Sequence, residues 1–362
     1  MVYSIVKVTK IMETKIHPSL RTVEWKDNAV VMIDQTKLPN ELVFVKYTDF
    51  VEVADAIRNL VVRGAPAIGV SGAFGLALAA LQSKATTRDD LLTDLEKARK
   101  ILFETRPTAV NLAWGLERIM KIARNGNTVS EIKNAIVTEA KKMAEEDIEI
   151  NMRMGKHGSN LFNDNDTIMT HCNAGALATV AYGTALGVIR ATKDSGKKIR
   201  VIATETRPVM QGSRLTAFEL KHDGIDVSLI PDTAVGYSMA NGLVSKVIVG
   251  ADRILRTGHV YNKIGTYQVA VMAKQHDIPF YVAAPLSTFD MKSTTKDVVI
   301  EQRRASEVTG VGGKKTAPDD INVINPAFDM TPPELITGII TEAGVAMPPF
   351  EESIKKLFES KL

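Results

Sequence analysis

Apolar positions recur at two different periods along this chain, and the change of period divides it. Up to about residue 40 the pattern reads as short strands and turns. From Phe50, the residues Phe50, Val53, Ala54, Ile57, Leu60 and Val61 fall at spacings of three and four, one face of a helix. Asp49 and Glu52 precede that face as an acidic cap. The pattern predicts that this helix stops at Arg63-Gly64-Ala65-Pro66, because Gly64 tolerates a left-handed backbone and Pro66 cannot continue the ladder. A Gly/Ala-rich apolar helix should follow, to about Leu81. Asp89–Glu104, Ala109–Arg124 and Val129–Met154 read as further helices, the last opened by a Thr128–Glu131 capping box.

After Gly155 the period shortens. Thr167–His171, Arg200–Thr204, Asp226–Ile230, Lys246–Gly250 and Phe280–Ala284 are short Val/Ile-rich runs without strict alternation, as expected of strands buried on both faces of a parallel sheet. Helices such as Gln211–His222 and Lys263–His276 lie between them. The expected class is α/β: a mostly helical N-terminal domain, 1–150, with short N-terminal strands, then a Rossmann-like, doubly wound parallel-sheet domain, 151–362.

Composition narrows the function classes. The 362 residues carry 45 basic and 42 acidic side chains, net +3. That balance provides no basic field for nucleic acid, so no nucleic-acid partner is expected. No run approaches about 18 uninterrupted apolar residues, so no membrane partner is expected either. The first residues, MVYSIVKVTKIMETK, lack the apolar core of a signal peptide and look like an extension. Cys172 is the single cysteine, which forbids an internal disulfide or a multi-cysteine metal cage and fits a reducing cytoplasm.

In an open parallel sheet, ligands gather at the carboxyl ends of the strands. Those ends hold His171-Cys172-Asn173, then Glu205-Thr206-Arg207 leading to Gln211, then Pro231-Asp232, then Ala251-Asp252-Arg253 followed by Asn262-Lys263. Cys172 reads either as a buried inert thiol or as one aimed at a ligand from ahead of a helix of small residues; position alone does not choose. Asp252 ends a very apolar strand, where a carboxylate is costly unless paired; it reads as a cap, an ion pair with Arg253, or a general acid. Arg63, Arg106 and Lys263 can close helix ends or bind phosphate. His171 reads as strand packing, and His157, His222 and His276 as surface residues without metal spacing. Gly69, Gly72 and Gly75 follow a helix and do not form a dinucleotide fingerprint; TGVGGKK lacks the residues of a phosphate loop.

At these residues the chain resembles a known family. RGAPAIGV, TRPTAVNLAWGL, THCNAGALAT, TETRPVMQGSRLTAFEL, PDTAVGY, GADRI with the following NKIGTY, PFYVAAP and NPAFDMTPPELITGIITEAGV resemble, in order, the methylthioribose-1-phosphate isomerases of methionine salvage. The wider group also holds ribose-1,5-bisphosphate isomerases and regulatory subunits of the exchange factor for eukaryotic translation initiation. The resemblance implies an aldose–ketose isomerase of a small sugar phosphate, without cofactor or metal, cytoplasmic and homodimeric. It implies that Cys172 and Asp252 are catalytic. It further implies that Arg63, Gly64, Ala65, Arg106, Gln211, Asn262 and Lys263 bind substrate. An acid at Asp252 would need apolar, water-poor surroundings to keep its proton.

Overall fold

The computed structural model describes residues 20–359; the expected N-terminal extension lies outside them. Two compact units emerge, one of residues up to Met152 together with Gly175–Gly187, the other of Arg153–Ala174 and Val188 onward.

The first unit opens with three antiparallel strands, β1 (Val23–Lys26), β2 (Ala29–Ile33) and β3 (Phe44–Tyr47). Five helices follow: α1 (Phe50–Arg58), α2 (Ala65–Gln82), α3 (Arg88–Phe103), α4 (Val110–Asn125) and α5 (Val129–Ser159, whose last residues belong to the other unit). Asp49 caps α1 by accepting from the Val51 N–H, and Thr128 and Glu131 exchange the two hydrogen bonds of the capping box. The expected stop at Arg63-Gly64-Ala65-Pro66 is corrected: α1 ends at Arg58, and Gly64 instead opens α2. Gly64 has φ +98°, and a Cβ there would lie 2.4 Å from the Ala178 backbone, so no other residue fits. Helix α2 is long and apolar enough by composition to cross a membrane, but it is this unit's core helix, buried from Ala67 to Ala80. Its glycines serve packing. A Cβ on Gly115 of α4 would meet the Gly69 carbonyl at 2.5 Å, so the two helices touch backbone to backbone.

The second unit runs β4 (Thr167–Thr170), α6 (Ala185–Asp194, whose first residues belong to the other unit), β5 (Arg200–Thr204), α7 (Ala217–His222), β6 (Asp226–Ile230), α8 (Val235–Ala240) and β7 (Lys246–Val249). It continues with β8 (Arg253–Leu255), β9 (Val260–Lys263), α9 (Thr266–Gln275), β10 (Phe280–Ala283) and β11 (Phe289–Asp290). Next come α10 (Ser306–Thr309), the small hairpin β12 (Gly310–Val311) and β13 (Lys314–Lys315), then β14 (Phe328–Thr331), β15 (Gly338–Thr341), β16 (Gly344–Ala346) and α11 (Phe350–Glu359). The main sheet has the order β16-β15-β10-β7-β4-β5-β6, parallel except for β16. The chain steps outward from β4 to β5 and β6, then returns to the other side of β4 as β7 and steps outward again. This is the doubly wound arrangement, and its strand order reverses between β4 and β7. The expectation of strands buried on both faces fails at β6, an edge strand whose residues are exposed or half-buried. A second sheet, β11-β8-β9-β14, sits on the polypeptide that follows β7.

Candidate active site

Three strands of the main sheet deliver most of the predicted residues of this unit. Cys172 follows β4 and Asp252 follows β7. These two strands are paired in register, Ile168 with Lys246 and Met169 with Val247, so their carboxyl ends are neighbours about 5 Å apart at the reversal point. The strand beneath Asp252 is apolar after Lys246: Val247, Ile248 and Val249 are fully buried. Asp252 itself is half-buried, and its N–H donates to the Tyr261 carbonyl (2.9 Å). Arg253 points its guanidinium to Asp290 (3.3 Å).

Asn262 and Lys263 come next to Asp252 through the β8–β9 hairpin. Arg253 pairs with Tyr261, and the Asp252 N–H bonds the same Tyr261, the residue directly before Asn262. Both residues end a strand; the expectation that Lys263 opens a helix is corrected, since α9 begins at Thr266. Asn262 is buried and donates to Thr266 Oγ1 (3.0 Å). Lys263 Nζ donates to the Ala327 carbonyl (2.9 Å) and lies 4.6 Å from the Phe328 ring centroid. On the far side of β9, Asp329 faces Asn262 and accepts the Gly265 and Tyr267 N–H groups. Burial pushes its carboxyl up to about 6 against those donors.

No helix follows Cys172 directly. Ala176–Ala178 form a single 3-10 turn, and α6 starts only at Ala185. Cys172 therefore has no helix N-terminus next to it. It has instead a strained backbone, φ +64°, which for a non-glycine residue costs about 1–3 kcal/mol. Hydrogen bonds hold it there: its N–H donates to Thr206 Oγ1 (2.8 Å), and its carbonyl accepts from Thr216 Oγ1 (2.6 Å). Asn173 Nδ2 donates to Thr216 Oγ1 (3.1 Å) and to Glu219 Oε1 (2.8 Å). Glu219 is fully buried and faces Arg190 (2.8 Å), which also grips Asp223. Burial alone would lower the Arg190 pKa; the two carboxylates outweigh it and keep the guanidinium charged.

The turn after β5 approaches from the other side. Asp232 accepts the Thr206 and Arg207 N–H groups at 2.8 and 2.6 Å. Thr206 and Met210 share positive φ with Cys172. Gln211 is 8% exposed, and its Oε1 is buried without a hydrogen-bond partner among the described residues. A buried amide oxygen left unsatisfied at a strand-end turn is a position for a ligand donor. Gly212–Thr216, expected as ordinary helix, form a π-helical turn.

Arg63, Gly64, Ala65 and Arg106 belong to the first unit. Arg63 is half-buried and donates to Gln35 Oε1 (3.3 Å), while Gln35 donates to the Leu177 carbonyl (2.7 Å). Arg106 is half-buried in the turn between α3 and α4. Of the histidines read as surface residues, His222 and His276 are exposed, but His157 is half-buried with Nδ1 3.0 Å from the Thr341 carbonyl. His171, Thr204, Thr206, Asn173 and Asp329 were not singled out as functional. The signal for the first four was their position, at or just after a strand end that carried chemistry; Asp329, inside β14, had no such signal.

Residues 61–348 match the model of the initiation factor 2 subunit family. The methylthioribose-1-phosphate isomerase of Thermosipho africanus is 53% identical over 93% of this chain and 98% of its own length. The crystal structure of 5-methylthioribose 1-phosphate isomerase from Pyrococcus horikoshii is 50% identical, covers 96% of this chain and 97% of its own, and superimposes with TM-score 0.88. A structure described as the translation initiation factor eIF-2B, subunit delta, from A. fulgidus is 53% identical, covers 94% of this chain and all of its own, with TM-score 0.85. The chain belongs to the initiation factor 2 subunit family, and over nearly its whole length it is similar to members called methylthioribose-1-phosphate isomerase.

Proposed function

We propose that the protein converts 5-methylthioribose 1-phosphate to 5-methylthioribulose 1-phosphate, a step of methionine salvage, with Asp252 and Cys172 as its catalytic pair. The observation that carries this reading is the placement of Cys172 and Asp252 at adjacent strand ends where the sheet order reverses. A sugar lying across that crevice has a thiol on one side and a carboxyl group on the other. The substrate carries phosphate on its anomeric carbon, so it cannot open to a free aldehyde without losing phosphate. The bond from C1 to the ring oxygen must break while that oxygen gains a proton, which Asp252 supplies. Cys172 takes the proton from C2 and returns it to C1. The C2 hydroxyl loses its proton as the ketone forms, restoring Asp252. Atoms and charges balance without an external reactant.

Gln211 and Asn262 are assigned to the sugar hydroxyls, with the orphaned Gln211 oxygen as an acceptor. Lys263, Arg63 and Arg106 are assigned to phosphate, and Gly64 and Ala65 to close backbone approach; for the first-unit residues the support is the family resemblance. The assignments extend to a helical domain over 1–150 and a catalytic domain over 151–362, to a cytoplasmic location and to a homodimer. Incubation with methylthioribose 1-phosphate and, separately, ribose 1,5-bisphosphate tests the reading. Ketose from the first supports it, while turnover of the second alone shifts the assignment to a bisphosphate isomerase. The A. fulgidus relative described as an initiation-factor subunit favours a second reading, a non-catalytic binding subunit. Ligand binding with no turnover of either sugar would select it. Substrate deuterated at C2 tests the route: loss of label to water excludes hydride transfer and supports Cys172 as base.

A further inference from the structure

His171 is 2% exposed and stands directly before Cys172. A buried imidazole is tolerated when both nitrogens are satisfied, and both are. Nε2 lies 2.9 Å from the Ile264 carbonyl, and Nδ1 lies 2.7 Å from Thr204 Oγ1. A carbonyl only accepts, so Nε2 carries the hydrogen and Nδ1 is the acceptor of the Thr204 O–H. With the Thr204 hydrogen committed, the Thr206 O–H turns to Thr204, to Oγ1 at 3.2 Å or the carbonyl at 3.4 Å. Thr206 Oγ1 then accepts from the Cys172 N–H. Through the 3.2 Å contact between the two hydroxyls, one directed chain of hydrogen bonds leads from Cys172 through Thr206, Thr204 and His171 to Ile264. Burial holds the imidazole below its usual pKa and keeps it neutral; of the charged groups facing it, Asp232 opposes that effect and Lys263 adds to it.

The far end of the chain is also held. Gly265, beside Ile264, has φ +101°, and a Cβ there would lie 2.9 Å from the His171 ring. The ring seats on a position only glycine can occupy. Ile264 directly follows Asn262 and Lys263, and Asp329 fastens the Gly265 N–H from the other side (2.7 Å).

We propose that His171 is a positioning residue: it locks the strained turn bearing Cys172 to the turn bearing Asn262 and Lys263, and so sets the thiol relative to the bound sugar. The inference rests on the isomerase reading of this site. Because Cys172 is the single cysteine, its alkylation reports the geometry of the turn without any substrate. The test compares wild type, His171→Gln, Thr204→Val and Thr204→Ser. The readouts are kcat and KM for methylthioribose 1-phosphate and the rate of iodoacetamide labelling of Cys172, followed by mass spectrometry. In His171→Gln and Thr204→Val, kcat should fall at least tenfold with KM within threefold, and labelling should quicken at least fivefold. Thr204→Ser, which keeps the hydroxyl, should stay near wild type. Thr204→Val leaves the imidazole in place and carries the test if His171→Gln does not fold. Wild-type labelling with wild-type kcat in Thr204→Val would overturn the proposal, as would a defect confined to KM. If wild type itself makes no ketose, the isomerase reading fails, and the labelling ratios still decide whether His171 holds the turn.

Discussion

Replacing Asp147 by Asn should stabilise the first unit at neutral pH, against the usual cost of altering a buried polar group. Asp147 lies on α5, and its Oδ2 accepts the Val180 N–H at 2.7 Å. Burial pushes its carboxyl up to about 7, while the Val180 N–H and the Asn151 side chain pull it down. The folded protein thus holds this proton up to about pH 7, whereas the unfolded chain releases it near 3.8. Between those values the folded state binds more protons, so the contribution of Asp147 to stability is greatest below pH 4 and falls as pH rises to 7. At about 1.4 kcal/mol per pKa unit, the loss across that window is on the order of 4 kcal/mol. Asparagine removes the titration. Its oxygen can still accept from Val180, and its amide can donate to Asn151 Oδ1, a buried oxygen without a partner among the described residues. A unit of this size shifts by about 2–4 °C per kcal/mol. The assay is thermal denaturation of wild type and Asp147→Asn at pH 4.5, 6 and 8, followed by circular dichroism. The variant should gain on wild type by several degrees between pH 4.5 and 8. A melting difference independent of pH, or one that shrinks as pH rises, would refute the burial argument.

Three further outcomes follow from packing and charge. Gly115→Ala should destabilise the first unit by about 1–3 kcal/mol through its clash with the Gly69 carbonyl, partly offset by the better helix propensity of alanine; chemical denaturation measures it. Glu219→Gln should cost on the order of 3 kcal/mol, because the buried Arg190 guanidinium loses a charged partner. It should also quicken Cys172 alkylation, since Arg190 takes the one remaining amide oxygen and Asn173 then faces an NH2 group; unchanged labelling would separate that cluster from the Cys172 turn. Asp329→Asn should remove a stability loss that wild type suffers as pH rises from about 4 to 6, because the folded carboxyl titrates near 6 and the unfolded one near 3.8. Parallel pH–stability curves for the two proteins would contradict that assignment.

Local rules made much of this fold legible. The caps at Asp49 and Thr128 formed as their spacing predicts, and the Val/Ile runs became β4 to β7 and β10, because both signals depend on neighbours close in sequence. Where the reading failed, a distant contact decided. Gly64 reads equally as a helix end or a helix start, and the close approach of Ala178 makes it the start. Small residues after Cys172 suggest a helix by propensity, yet Gly175 bridges to Gly183 and the segment folds as a loop. β6 has the composition of an interior strand but, among the described residues, no strand pairs with its outer side. At the site, residue type drew attention to Cys172 and Asp252. Their being neighbours depends on β7 returning beside β4, which no local pattern encodes. His171 reads as strand packing and is buried as that reading expects; the partners of its two nitrogens depend on contacts distant in sequence.

The central claim is that one sugar touches both Cys172 and Asp252. A crystal structure of the Asp252→Asn variant with methylthioribose 1-phosphate tests it most directly. The account predicts the Cys172 sulfur within about 3.5 Å of C2, and residue 252 within hydrogen-bonding reach of the ring oxygen. A sugar bound beyond reach of either side chain would contradict it.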